Sequence, residues 1–257
     1  MLFGNCKDLI DGQKLSYATL EVINEVLYYE IGLENLLTFG LAKTLNLSPT
    51  IKRLKEKVKR IEAAILKRYQ KVYNQETGKE ENSFLGNMAV YNKQNTNLED
   101  QISAEDIVGS CAVFVFAAFD TTRHSTSWAM NFLKENPKIQ NQIFNETCNI
   151  DLQNDPKGLE KLDYCTILDM FVKETLRLGA PFMFSEFREF KKNCKIGNFN
   201  FKKGDQMMLG LGMNTTKESK FDRALEFNIN RFEKGKKPTW ERMDYIPFSS
   251  GRRGCIG

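Results

Sequence analysis

The chain has 257 residues, of which 41% are hydrophobic and 27% are charged, a composition typical of folded globular proteins and not of disordered ones. Its 37 basic and 33 acidic residues give a formal net charge of +4, too mild to indicate a nucleic-acid partner. The six cysteines stand singly beside one histidine, so we expect no zinc site, and five of these cysteines are predicted to be reduced packing residues.

The amino-terminal part is predicted to be helical, and no signal peptide is expected in it, because no basic residues followed by an apolar stretch come after Met1. Apolar residues recur at helical spacing from about 15 to 45, with Gly32 and Gly40 as breaks, and Pro49 ends this stretch. The spacing predicts two helices.

A strongly basic helix is predicted from Ile51 to Tyr73, where apolar side chains repeat every three or four residues and basic side chains take most other positions. We interpret it as a surface helix with a solvated basic face. An anionic lipid surface and a coiled-coil seam are the alternatives. The polar stretch 74–97 is predicted to be a loop interrupted by a short apolar piece, Phe84 to Tyr91.

A long helix is predicted to begin at Ser103, whose side chain can cap the first turn, and to run to about Lys134, before Pro137. Its apolar middle indicates that it passes through the core. The longest uncharged apolar run, Ile107 to Phe119, is shorter than the roughly 20 residues that cross a bilayer, so no transmembrane segment is expected.

Two polar residues in this apolar helix, Asp120 and Thr121, are candidate site residues, because burying them without partners would be costly. His124 follows one turn later, and we expect it to be an ordinary helix-packing residue.

The second half of the chain is predicted to contain helices between Pro137 and Pro156 and from Leu162 to Leu178. Segments 195–204 and 206–210 are predicted to pair as a hairpin around a Lys-Gly-Asp turn, and the chain from Thr215 onward is predicted to be mostly loop. The predicted fold class is therefore mainly α with a small β hairpin or sheet.

The final ten residues, Phe248 to Gly257, form a glycine-rich segment with two arginines and Cys255. Glycines let backbone amides approach a sulfur closely, and arginines stabilise a thiolate or hold an anion. The residues alone predict a thiolate site for a metal or an anion, and a reduced cysteine in a flexible tail is the alternative.

This segment resembles the FxxGxRxCxG haem-binding loop of the cytochrome P450 family at all five fixed positions: Phe248, Gly251, Arg253, Cys255 and Gly257. Upstream, Glu174 and Arg177 match the family's ExxR pair, which by spacing alone would be a weak surface ion pair. Arg231 with Phe232 resembles the end of its PERF segment, although Ile229 and Asn230 replace the usual proline and glutamate. The stretch Ala117 to Thr122 resembles the oxygen-activation motif, with Ala118 where glycine is usual.

The resemblance implies a partial cytochrome P450 fold that binds haem b (iron protoporphyrin IX) through the Cys255 thiolate. It implies that Arg253 and Arg188 pair with the two propionates, and that Phe248, Gly251 and Gly257 shape the ligand loop. Ala117 and Ala118 would let the long helix pass close to the cofactor, and Asp120 and Thr121 would be catalytic. Glu174, Arg177 and Arg231 would be structural.

The resemblance also implies an organisation of the chain as a single partial domain, 1–257. Residues 1–100 would be helices that roof the substrate pocket, 103–134 the long central helix and 162–178 the ExxR helix. Residues 185–212 would be a small β region, and 215–257 a meander with the haem-binding loop.

The implied activity is that of a monooxygenase, which inserts one oxygen atom from O2 into a small apolar organic substrate. No flavin or nicotinamide fingerprint is present, so a separate electron donor, a P450 reductase or a ferredoxin, is expected. The alternatives are a haem-thiolate isomerase or peroxygenase, and a truncated, non-catalytic fragment, because the chain stops at the last motif residue. The implied location is the cytosolic face of the endoplasmic reticulum where a full-length protein carries the usual anchor, and the cytoplasm otherwise.

Overall fold

The computed structural model describes residues 9–10, 13–30, 49–74, 83–95, 97–184, 188–235 and 242–256. The predicted breaks at Gly32 and Gly40 lie outside these residues. The chain forms two compact units, Met1–Asp120 and Thr121–Gly257.

Helices form most of the first unit: α1 (Leu15–Glu30), α2 (Pro49–Tyr73), α3 (Phe84–Gln94) and the beginning of α4 (Ala104–Glu135). Two short antiparallel strands, β1 (Leu9–Ile10) and β2 (Gln13–Lys14), precede them. One apolar cluster joins the four helices, and its most buried members are Leu15, Ile65, Leu85, Ile107 and Cys111. Each of these helices has one apolar face, and the apolar faces pack together in a common core.

Helix α2 is the basic helix expected from the sequence, and it begins two residues earlier, at Pro49. Its apolar residues Ile51, Leu54, Ile61, Ile65 and Val72 are buried. Lys57 forms ion pairs with Glu25 and, at 3.6 Å, with Glu21 of α1. The helix is therefore a surface helix, and part of its positive charge is matched by its helical neighbour.

Helix α3 replaces the loop predicted for this stretch, where only a short apolar piece was expected. The hydroxyl of Ser83 accepts a hydrogen bond from the Gly86 amide at 3.0 Å and so caps the first turn. Leu85, Met88 and Ala89 are buried at helical spacing. The many polar residues around them obscured this short helix in the sequence.

A buried asparagine fixes the connection from α3 to α4. Asn92 donates from Nδ2 to the Tyr69 hydroxyl at 2.9 Å and to the Ile102 carbonyl at 3.0 Å. Its Oδ1 accepts from the Ile102 amide at 2.8 Å. Because Ile102 lies two residues before α4, Asn92 sets where the long helix begins.

Helix α4 begins as predicted, with the Ser103 hydroxyl accepting from the Asp106 amide at 3.1 Å. The expectation that it is enclosed by the core is corrected: only 11% of its most apolar window is buried, and Val113 and Met130 are exposed. The expectation of no transmembrane segment stays a prediction. In the described residues one helix, Leu98–Glu135, is long and apolar enough to cross a bilayer by length and composition, a criterion that core helices of globular proteins also meet.

Three further helices lie in the second unit: α5 (Pro137–Thr147), α6 (Gly158–Leu162) and α7 (Thr166–Leu178). The helix predicted over 162–178 is thus divided, because α6 ends at Leu162 and α7 begins at Thr166. The Glu146 carboxylate accepts from the Ile167 and Leu168 amides at 3.1 and 3.0 Å, and so caps α7. A cap from a residue 21 and 22 positions away from the two amides leaves no local signal in the sequence.

The small β region has a different pairing from the one predicted. Strands β4 (Cys194–Ile196) and β5 (Phe199–Phe201) form a tight hairpin around Gly197, whose φ is +56°. Strand β6 (Gln206–Met207) pairs with β3 (Arg188–Glu189) instead of with the hairpin. The two-residue Gly197–Asn198 turn pairs β4 with β5, and β6 therefore pairs with β3 and not with the hairpin.

The described residues of 208–235 and 242–256 are irregular, as predicted, apart from 3-10 turns at Ile229–Phe232, Arg242–Asp244 and Gly251–Arg253. The core of the second unit contains Phe132, Met170, Phe171 and Ile229. Residues 212–232, which we call the meander, are attached to this core where the Phe227 ring stacks on Phe132 with centroids 4.3 Å apart.

Asn92→Ala should lower the free energy of unfolding by about 2 kcal/mol, because it leaves buried partners at Tyr69 and Ile102 without their hydrogen bonds. Gln94→Ala, an exposed position on the same helix, is the control and should change it by less than about 0.5 kcal/mol. Urea-induced unfolding measures both, and equal effects would contradict the role of Asn92.

Candidate functional site

A fully buried ion pair lies at the centre of the second unit. Glu174 and Arg177 are one helical turn apart on α7, and both side chains have 0% exposure. The Arg177 Nε donates to Glu174 Oε2 at 2.7 Å, and Nη2 donates to Oε1 at 2.8 Å. This two-pronged geometry is the strongest form of an arginine–carboxylate contact. The pair is therefore buried and strong, and is not the weak surface ion pair that the spacing alone would suggest.

The remaining donors of Arg177 bind the backbone of the meander. Nη1 donates to the carbonyls of Thr215 and Ala224, each at 2.6 Å, and Nη2 donates to that of Glu226 at 3.1 Å. Together with the two bonds to Glu174, all five N–H groups of the guanidinium have acceptors. A buried charge is therefore fully compensated, and an irregular segment is fixed to α7.

Arg231 completes a three-residue cluster. Its Nε lies 3.3 Å from Glu174 Oε1, and its Nη2 donates to the Arg223 carbonyl at 2.7 Å. Of the two residues that depart from the family pattern, Ile229 is buried in the core and the Asn230 amide donates to Asn228 Oδ1 at 3.1 Å. The Asn228 amide in turn donates to Glu174 Oε1 at 2.8 Å. The structure thus brings Glu174, Arg177 and Arg231 together.

The segment around Cys255 forms a closed loop. The Cys255 amide donates to the Phe248 carbonyl at 2.8 Å, and the Gly254 amide donates to the Gly251 carbonyl at 3.1 Å. Gly251 has φ of +79°, a conformation that favours glycine. The loop holds the Cys255 side chain exposed.

The chemistry of this loop fits a haem ligand. Exposed apolar side chains, Phe248 at 55% and Ile256 at 80%, flank the exposed thiol, as an apolar macrocycle would require. In the described residues no group of three or more histidine, cysteine or acidic side chains is placed to hold a metal ion. Gly257 and the Arg253 side chain lie outside the described part of the chain.

The other described cysteines differ from Cys255. Cys111 is buried, and burial raises the pKa of its thiol to about 12, so it remains neutral. Cys165 is also buried, whereas Cys148 is exposed and Cys194 is half-buried, which corrects the expectation that both are packing residues. Cys6 is outside the described residues.

The candidate oxygen-activation residues lie on α4. Ala117 and Ala118 are exposed, and Asp120 and Thr121 are half-buried. The helix is α-helical without interruption here, so the local opening that a threonine can cause is not observed. His124 is exposed, with its ring 6.3 Å from that of Trp128, so it packs on its own helix and not in the core.

A cavity of about 700 Å³ lies in the first unit beside this motif. Side chains of α1, α3 and α4 line it, including Tyr17, Phe84, Phe114 and Phe119, with Ala118 at its edge. The resemblance placed helices of residues 1–100 over the substrate pocket, and that role of α1 and α3 stays a prediction.

Arg188 lies on β3, opposite Met207 of β6, and is half-buried. Its guanidinium has no ion-pair partner among the residues that the structure describes, which leaves it able to bind an anion. Thr215 and Tyr245 are the residues that sequence reasoning missed. The Thr215 hydroxyl lies 2.7 Å from the Gly212 carbonyl and 2.9 Å from that of Arg177, so the two carbonyls share its single donor, and the Tyr245 hydroxyl donates to the Lys173 carbonyl. Their acceptors are backbone atoms, which leave no sequence signature.

Glu174→Gln should lower the free energy of unfolding by about 3–5 kcal/mol, because it leaves the Arg177 charge buried without its counter-ion. Asp169→Asn is the matched control on the same helix. It removes a half-exposed pair with Lys173 and should cost no more than about 1 kcal/mol. Similar losses in both variants would refute the special role of the buried pair.

Curated relatives align with about two thirds of the chain. The Caenorhabditis elegans cytochrome P450 CYP13A1 is 31% identical over 169 residues, which are 65% of this chain and 32% of that protein. Secologanin synthase 1 of Catharanthus roseus is 30% identical over 66% of this chain and 33% of its own length. The chain therefore spans about a third of the length of the curated relatives that it matches.

Solved structures share the fold. A cytochrome P450, CYP102L1, superimposes with a TM-score of 0.78 at 20% identity, over 99% of this chain and 56% of that one. A zebra fish cytochrome P450 solved with abiraterone gives a TM-score of 0.67 at 17% identity, over 95% of this chain and 57% of that one. The mainly helical architecture with small antiparallel sheets is therefore that of a partial cytochrome P450 fold.

The family model for cytochrome P450 matches residues 1–257, which include the Glu174–Arg177–Arg231 cluster and the Cys255 loop described above. This chain belongs to the cytochrome P450 family.

Proposed function

We propose that the protein carrying this chain is a haem-thiolate monooxygenase that inserts one oxygen atom from O2 into a small apolar organic molecule. The observation that carries this proposal is the exposed Cys255 thiol, held in a closed loop between exposed apolar side chains. Membership of the family supports the general activity.

Cys255 is proposed to ligate the iron of haem b, which when bound supplies the activation of oxygen. Arg253 and Arg188 are proposed to pair with the propionates, where the fork of a guanidinium matches a carboxylate. The free guanidinium of Arg188 in the described residues supports this role. Phe248, Gly251 and Gly257 are proposed to shape the loop that presents the sulfur.

Asp120 and Thr121 are proposed to hold and transfer protons on the side of the substrate. They are adjacent on α4 and half-buried, so their polar atoms can reach both the protein and a ligand. Ala117 and Ala118 have small side chains, which are proposed to let a flat cofactor approach this face of the helix closely. Electrons are proposed to come from a separate reductase or ferredoxin.

The substrate is proposed to be apolar and partly aromatic. The cavity beside α4 offers the rings of Phe84, Phe114 and Phe119, with Ser16 and Asn87 as polar groups that could orient a ligand. Its volume of about 700 Å³ lies within the usual range for small-molecule sites.

Cys255→Ser in the complete protein should abolish the strongly red-shifted Soret band of the reduced carbon monoxide complex, since a hydroxyl is a poor substitute for a thiolate. Cys148→Ser, at an exposed cysteine away from the loop, should leave the band unchanged. Retention of the band in Cys255→Ser, or its absence from the unaltered protein supplied with hemin, would refute the proposal.

Thr121→Ala should lower substrate oxidation by about 100-fold and raise the share of electrons lost as hydrogen peroxide, because proton delivery is disrupted. Thr126→Ala, an exposed threonine five residues later on the same helix, is the control. Product and peroxide are measured per electron consumed. Unchanged coupling in Thr121→Ala would show that this residue does not deliver protons.

A further inference from the structure

The segment that enters the Cys255 loop is attached to the rest of its unit by two polar side chains that have no assigned role. Tyr245 lies three residues before Phe248, and its hydroxyl donates to the Lys173 carbonyl of α7 at 2.9 Å. Its ring lies 5.0 Å from that of Phe232 in the meander. One side chain therefore contacts both α7 and the meander.

The hydrogen bond that the Tyr245 hydroxyl donates persists over the physiological pH range. Burial, together with the negative charges of Glu174 and Asp169, raises the pKa of the Tyr245 hydroxyl above its usual value, so the group stays protonated and remains a donor at any physiological pH. Its acceptor is the residue immediately before Glu174, in the middle of α7. The helix that carries the buried Glu174–Arg177 pair thus provides the anchor.

The anchor is connected to Cys255 by a short and stiff path. Pro247 restricts the backbone between Tyr245 and Phe248. The Ile246 carbonyl accepts from the Ser249 amide at 2.9 Å, and the Phe248 carbonyl accepts from the Cys255 amide at 2.8 Å. Three residues span at most about 10 Å, so a shift at Tyr245 reaches the carbonyl that holds the Cys255 backbone.

A second contact fixes the preceding residue. The Asp244 carboxylate is buried, with 5% exposure, and its Oδ1 lies 3.2 Å from Lys220 Nζ in the meander. Lys220 and Lys173 belong to different elements. The entry to the loop is therefore fixed in two directions, by α7 through Tyr245 and by the meander through Asp244.

We propose that Tyr245 is a positioning residue that sets the place of the Cys255 sulfur relative to α7, with the Asp244–Lys220 pair as its second support. This inference rests on the proposed function, because it concerns how the chain presents the proposed iron ligand. Without the Tyr245 anchor the loop would hold haem but exchange the thiolate for another ligand more readily.

The test is Tyr245→Phe in the complete, haem-loaded protein, which removes the hydroxyl and keeps the ring against Phe232. The rate at which the thiolate-type band of the reduced carbon monoxide complex converts to the less shifted band is measured. It should rise about fivefold, the factor that one ordinary hydrogen bond represents. Tyr164→Phe, at a tyrosine with 82% exposure, is the control and should convert at the unaltered rate.

A lower melting temperature of Tyr245→Phe with an unchanged rate of conversion would overturn the inference, because it would show a structural role alone. Lys220→Gln provides a second variant at a partly exposed position, should Tyr245→Phe not fold, and it should also accelerate the conversion. An unaltered rate in Lys220→Gln would then count against the inference. Absence of the thiolate band from the unaltered protein would instead refute the proposed function.

Discussion

The second unit depends on one constraint, the compensation of the Arg177 charge. A guanidinium with no exposure must place every N–H group on an acceptor, and here Glu174 supplies two acceptors and the meander supplies three. Three carbonyls separated along the chain must therefore converge on one side chain. This requirement specifies the path of a segment that has almost no regular secondary structure of its own.

The position of the Cys255 loop depends on this arrangement. α7 carries Glu174 and Arg177 on one side and accepts the Tyr245 hydroxyl at Lys173, one residue before the buried pair. The meander, fixed by Arg177, in turn offers Lys220 to Asp244. A rigid support beneath an exposed ligand is what a functional loop needs, because the geometry of the ligand is then set by packing and not by the loop itself.

Features with a local cause could be predicted from the sequence. The apolar periodicity of α2 and the Ser103 cap of α4 set these helices to within two residues. Features that depend on residues far away in the sequence could not be predicted. The start of α7 depends on a cap from Glu146, and β6 pairs with the distant β3 while β4 and β5 pair with each other. The residues of the Glu174 cluster could be named from their motifs, but their backbone partners could not, since any residue can supply a carbonyl.

The proposed chemistry depends on the sulfur of residue 255 as the ligand of the haem iron. Replacing Cys255 by selenocysteine in the complete protein and recording X-ray absorption at the iron edge tests this most directly, because selenium scatters far more strongly than nitrogen or oxygen. We expect a selenium neighbour in the first shell of the iron. A first shell made only of nitrogen or oxygen, or one that still contains sulfur, would contradict it.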